Sequence, residues 1–146
     1  MCCPERFANT QGHYLSRPAV LEDEATARAI RLARFVDVPI YVVHVMSGGA
    51  AEEVARARNY GQRVVGEAVI QGIACDESQV RHPDFKVAAQ YVMSPPIRRR
   101  EVDGAMLKNM LVSGQLSHVG SDHGACSFGQ PEHCLNPPLS LFIPVA

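Results

Sequence analysis

A parallel α/β architecture is the fold class that this sequence predicts. Three observations carry the prediction: short, apolar, β-rich runs at residues 40–45, 63–70 and 116–122; amphipathic helical patterns between them; and Gly-, Ser- and Pro-bearing junctions of the strand-to-helix kind. No internal repeat and no second-domain boundary breaks the alternation.

The elements follow in order. Residues 1–17 read as an irregular lead-in. From Pro18 the pattern is helical: Ser16 is placed to cap, Pro18 suits a first turn, and Glu22, Asp23 and Glu24 lie where the helix dipole favours anions. Leu21, Ala25, Ala29, Leu32, Ala33 and Val36 recur at helical spacing and predict one buried stripe, which Asp37-Val38-Pro39 terminates. Ile40 to Val45 is apolar on both alternating faces, as a covered strand of a parallel sheet should be. Ser47-Gly48-Gly49 is a turn and cap for a helix from about Ala50 to Tyr60, stopped by Gly61. Arg63 to Ile70 is the next strand, and a loop then reaches His82-Pro83. A short helix from Pro83 puts Phe85, Ala88, Ala89 and Val92 on one face, and Met93-Ser94-Pro95-Pro96 must be extended. Asp103 is placed to cap a helix through Met106, Leu107, Met110 and Leu111 to Gly114, and Leu116 to Asp122 is a last strand.

Composition bounds the function. The 146 residues are 47% hydrophobic and 20% charged with a formal charge of -1, which suits one globular domain and excludes a disordered chain. A balanced charge and a pI near 6.6 carry no nucleic-acid footprint, and the longest apolar stretch, 38–46, is broken by Pro39 and His44, so no membrane span is expected. The five cysteines form neither a Cys-x-x-Cys pair nor a disulfide framework, and the N-terminus lacks the apolar core of a secretory signal. A cytoplasmic location is the expectation.

Two residues stand out by position. His44 and Asp122 each sit near the C-terminal end of an apolar strand, just before a glycine-containing turn. In parallel α/β folds ligands and catalytic groups gather at that edge. An imidazole and a carboxylate there suit a shared metal site. On the residues alone a hydrogen-bonded core histidine and a turn or cap aspartate are the favoured reading.

Five blocks sharpen this: Leu15-Ser16-Arg17-Pro18, residues 24–30 (Glu-Ala-Thr-Ala-Arg-Ala-Ile), residues 41–47 (Tyr-Val-Val-His-Val-Met-Ser), residues 91–98 (Tyr-Val-Met-Ser-Pro-Pro-Ile-Arg) and Gly120-Ser121-Asp122-His123. In order and spacing the chain, from about residue 12 to 130, resembles an internal segment of the dihydropyrimidinase/hydantoinase family of the amidohydrolase superfamily. The resemblance implies part of a metal-dependent (β/α)8 barrel, with 1–11 as a lead-in and 131–146 as a divergent tail. It also implies hydrolysis of a ring C–N bond in a cyclic amide such as a dihydropyrimidine or a hydantoin, within pyrimidine breakdown. His44 matches a ligand of one of two metals, usually zinc. Asp122 matches the ligand of the other, which also carries a proton from the attacking water to the leaving nitrogen. Ser94 matches a serine whose backbone holds the substrate's amide edge. Two metal ions depress the pKa of a shared water and polarise the carbonyl, which an unactivated amide needs. The partners implied are a cyclic amide and, for a complete family member, further copies of itself.

The departures set expectations too. The family's other ligands, a His-x-His pair, a carboxylated lysine and a further histidine, have no counterpart here; the lysines, Lys86 and Lys108, fall in helical patterns. The tail from Pro131 lacks the family's substrate loop. The expectation is a fragment or truncated relative, inactive alone. The alternative is a non-catalytic protein on the same scaffold, as in the collapsin-response-mediator-like branch. An unrelated open-sheet binding domain is the third reading.

Other features have plainer readings. His123 with Cys126 suggests a nucleophile pair, but a packing cysteine fits better; Arg98-Arg99-Arg100 reads as a solvated face; Gly48-Gly49 lacks a phosphate-loop context. His13, His82, His118 and His133 read as surface or structural.

Overall fold

Ile40–Val45 extends as its branched side chains favour and forms strand β1. In a computed structural model that describes residues 10–122, β1 is one edge of a three-stranded sheet with β2 (Val64–Val69) and β3 (His118–Gly120), in the order β1-β2-β3. Both pairings are parallel: Ile40 lies opposite Val64, and Glu67 opposite His118. Parallel neighbours need crossovers. Helix α3 (Gly48–Asn59) supplies the first, and the chain through α6 (Ala105–Val112) supplies the second.

The long helix α2 (Ala19–Phe35) precedes β1, and all three helices contribute to one core. Ile30 of α2, Ala50, Ala51 and Val54 of α3 and Leu107 of α6 pack with Val45, Val64, Ala68 and Leu116. Gly66 in β2 makes this approach possible. A Cβ there would lie 2.6 Å from Leu116 Cδ2 and 2.9 Å from Val54 Cγ1. A second cluster, Met46, Val69, Met93 and Ile97, lies beneath the C-terminal rim of the sheet.

Several expectations are corrected. The lead-in is not irregular throughout, because Thr10–Leu15 is a helix, α1. Thr10 Oγ1 donates to the Val80 carbonyl at 2.8 Å, and Tyr14 donates to Glu77, so α1 is held by contacts 70 and 63 residues away. Ser16 does not cap α2; its hydroxyl donates to the His13 carbonyl. The buried face of α2 is Thr26, Ala27, Ile30 and Ala33, while Leu21, Leu32 and Val36 of the expected stripe are more than half exposed. α3 fixes that rotation, because the cluster it shares with α2 takes in Ile30. β1 is covered on one face only, with Tyr41 and Val43 exposed on the other. The loop after β2 holds helix α4 (Ile70–Ala74) and a 3₁₀ turn (Glu77–Arg81), followed by α5 (Phe85–Ala89), on which Phe85 is exposed. Asp103 caps nothing in α6: a wide π-type turn (Arg100–Gly104) enters that helix, and Asp103 accepts from the Gly48 amide instead. The last strand is three residues rather than seven. No helix among the described residues is long and apolar enough to cross a membrane.

Candidate functional site

The parallel strands end on one rim, and His44 and Asp122 are both there. Between Val42↔Gly66 and Val45↔Ala68, β1 advances three residues while β2 advances two. That extra residue is a bulge, which re-aims side chains and twists the strand end. His44 lies in it with φ 41°, and Asp122 has φ 44°. A left-handed backbone is uncommon for any residue but glycine and clusters at functional positions. His44 is partly buried and Asp122 is exposed. Neither side chain has a hydrogen-bonding or ionic partner among the described residues. Gln71 Nε2, at the start of α4, donates to the Ser121 carbonyl at 2.8 Å and so fixes the chain beside Asp122.

The turn after β1 is held by three carboxylates. Glu22 Oε1 accepts from the amides of Met46 (2.7 Å) and Ser47 (2.9 Å). Asp23 Oδ1 accepts from the Ser47 hydroxyl at 2.7 Å, and Asp103 Oδ1 from the Gly48 amide at 2.9 Å. Ser47 Oγ in turn accepts from the Ala50 amide and caps α3. Gly49 is required beside them: a Cβ there would lie 2.5 Å from the Asp23 carboxylate carbon.

Ser94 is exposed on the segment that follows α5, and its peptide bond to Pro95 is cis. Arg98, four residues on, is 3% exposed; its Nη2 meets Glu22 Oε2 at 3.0 Å and its Nη1 donates to the Arg17 carbonyl at 2.6 Å. The solvated-face reading of the arginine run therefore holds for Arg99 and Arg100 and fails for Arg98. Between α2, β1 and this segment lies a cleft of about 430 Å³, lined in part by Arg17, Glu22, His44, Ser94 and Pro95. His44 and Ser94 thus share a cleft.

Asp122 does not line it. It follows β3, with β2 standing between it and β1. The imidazole and the carboxylate therefore do not sit on adjacent strands; two strand spacings of about 4.8 Å separate their ladders. The described residues contain no group of three or more His, Cys, Asp or Glu able to hold an ion. Two donors on non-adjacent strands fall short of the three protein ligands of a catalytic zinc. These residues alone do not fit a complete metal centre.

His13, read as surface or structural, is a buried structural residue. Its Nε2–H donates to the Met93 carbonyl at 2.7 Å while Nδ1 accepts from Arg17 Nη1 at 3.0 Å. That pairing requires the neutral imidazole. Burial, opposed by the Met93 hydrogen bond and aided by the charges of Arg17 and Arg98, holds its pKa below the ordinary value. On the sheet face away from the helices, Tyr41 donates to Glu67 at 2.6 Å, and its ring lies 6.0 Å from that of His118. Burial pushes the Cys75 thiol up, which suits packing rather than nucleophilic chemistry. His123, Cys126, His133 and the tail lie outside the described residues.

Sequence reasoning missed Glu22 and Arg98. Their signal was present, a glutamate four residues after Pro18 and an arginine two after Pro96, but each had a local reading that sufficed.

No family model matches the chain. It is 53% identical over 125 residues to a dihydropyrimidinase of Arabidopsis thaliana, covering 86% of this chain and 23% of that protein. It is 44% identical over 123 residues to a D-hydantoinase of Geobacillus stearothermophilus, covering 82% and 25%. The crystal structure of dihydropyrimidinase from Brevibacillus agri superposes with a TM-score of 0.81 at 40% identity, over 86% of this chain and 27% of that one. The chain thus spans about a quarter of the length of the curated relatives that it matches.

Proposed function

We propose, from the premise that this chain is a segment of the dihydropyrimidinase/hydantoinase family, that it carries part of the active rim of a cyclic-amide hydrolase. The observation that carries this reading is the pairing of family-level similarity with His44 and Asp122, both left-handed and both at the C-terminal rim. The three strands are read as consecutive strands of a (β/α)8 barrel, in which that rim is the catalytic one. His44 and Asp122 are the donor types of a two-metal centre, zinc by the resemblance, whose remaining donors have no counterpart in this sequence. When bound, such a centre activates water and polarises the amide carbonyl. By the resemblance, Asp122, exposed and without a partner among the described residues, would be the residue that takes the water's proton and returns it to the departing ring nitrogen. Ser94, which lines the same cleft as His44, would by the resemblance offer backbone groups to the ring's amide edge. The substrate class is a dihydropyrimidine or hydantoin; the setting is cytoplasmic pyrimidine breakdown, by a homo-oligomer when complete. A non-catalytic role on the same scaffold is the second reading, favoured by the missing third donor among the described residues.

A graft tests the first reading. Residues 12–122 replace the matching segment of the Arabidopsis relative, and dihydrouracil opening is measured with and without a chelator. Metal-dependent turnover that Asp122→Ala abolishes supports it. A folded, metal-loaded graft without turnover favours the second. The chain alone is expected to open neither dihydrouracil nor hydantoin, and zinc-restored turnover by it would mean that further donors exist within it.

A further inference from the structure

We infer that Glu22 and Arg98 are positioning residues: their buried ion pair couples the His44 end of β1 to the Ser94 segment, so that both walls of the cleft move as one unit. What the two walls do rests on the reading above; the coupling rests on geometry.

Glu22 accepts from two consecutive amides, two and three residues beyond His44. Asp23 and Asp103 hold the same turn, and among these three carboxylates Glu22 is the one that also bonds to Arg98. Arg98 is anchored from its own side by Ile97, 1% exposed in the rim cluster, and by its Nη1 bond to the Arg17 carbonyl. The Arg98 carbonyl accepts from the Glu77 amide at 3.2 Å, which extends the unit to the 3₁₀ turn. Arg98 Nε is buried without a partner among the described residues. A guanidinium buried with a nitrogen unspent is a poor device for stability alone, since apolar side chains of similar volume commonly serve as well or better. The best-attested use of such a pair is to fix one register against others. Here it fixes His44 against Ser94.

Two measurements on the full chain test this, and neither needs metal or substrate. In NMR spectra, Glu22→Gln and Arg98→Met should each move both the His44 imidazole and the Ser94 amide resonances. Arg98→Lys keeps a charge near Glu22 but loses the fork to Arg17, and should fall between. Glu24→Ala, which removes only the exposed pair with Arg28, should move neither. In the unaltered chain, the Met46, Ser47 and Glu77 amides should exchange with solvent as one cooperative unit, within about threefold of each other in opening equilibrium. The inference is overturned if folded variants shift only residues 46–47, or if Met46 and Ser47 open more than about tenfold more readily than Glu77. Where the variants do not fold, the exchange measurement decides. A failed graft with an intact exchange unit removes the enzymatic reading and leaves the coupling.

Discussion

Glu22→Gln should cost more stability than Arg98→Met, although both break the same ion pair. The difference lies in what each leaves behind. After Arg98→Met the Glu22 carboxylate keeps the Met46 and Ser47 amides, and methionine fills much of the arginine stem. Those two charge-assisted bonds, worth about 1.5–3 kcal/mol each, keep the remaining charge solvated by protein. The loss should be near the low end of the range for a broken buried pair, about 3 kcal/mol. After Glu22→Gln the guanidinium remains 4% exposed, with Nε already unpartnered and the Arg17 carbonyl its one remaining acceptor among the described residues. A single carboxamide oxygen cannot serve both amides and Arg98, and the NH₂ group turns a donor on a donor. The loss should approach about 5 kcal/mol. Against a typical total of about 5–15 kcal/mol this is the difference between a weakened and a largely unfolded chain. Urea unfolding followed by circular dichroism measures both, and the double variant gives the coupling energy. Equal losses below about 1 kcal/mol, as for a surface pair, would refute the reasoning.

Three other outcomes are expected. Gly66→Ala should destabilise by about 1–3 kcal/mol through the Leu116 and Val54 clash, and Leu116→Ala in the same chain should recover part of that loss in urea unfolding; strict additivity would contradict the packing account. His13 has a folded pKa below its unfolded value, so the unfolded chain binds more protons; stability should fall as pH drops below about 6.5, and His13→Gln should flatten that slope in unfolding curves taken from pH 7 to 5. With Phe35 86% exposed and Leu32 and Val36 more than half exposed at the C-terminal end of α2 and its cap, self-association is expected, and a monomer by light scattering across a wide concentration range would count against it.

The legible parts of the sequence were those with local causes. Ile40–Val45 shows its strand by branched residues alone, and Ser47 before Gly48-Gly49 shows a cap whose acceptor and donor lie three residues apart. The rim position of His44 and Asp122 followed from the same local pattern. α1 was not legible, because Thr10 and Tyr14 find their partners 70 and 63 residues away. Nor was the role of Glu22: a first-turn glutamate already has a dipole reason to be there, which hides a carboxylate that reaches Met46, Ser47 and Arg98.

By itself, then, the sequence determined the three strands, the main helices between them, the parallel class and which residue kinds arrive at the strand ends, since these depend on periodicity and turn chemistry within a few residues. Only the tertiary structure decided which face of α2 is buried, that β2 separates the strand of His44 from that of Asp122, and that Arg98 is an interior cation. Those are outcomes of packing and desolvation between distant segments, and no local pattern encodes them.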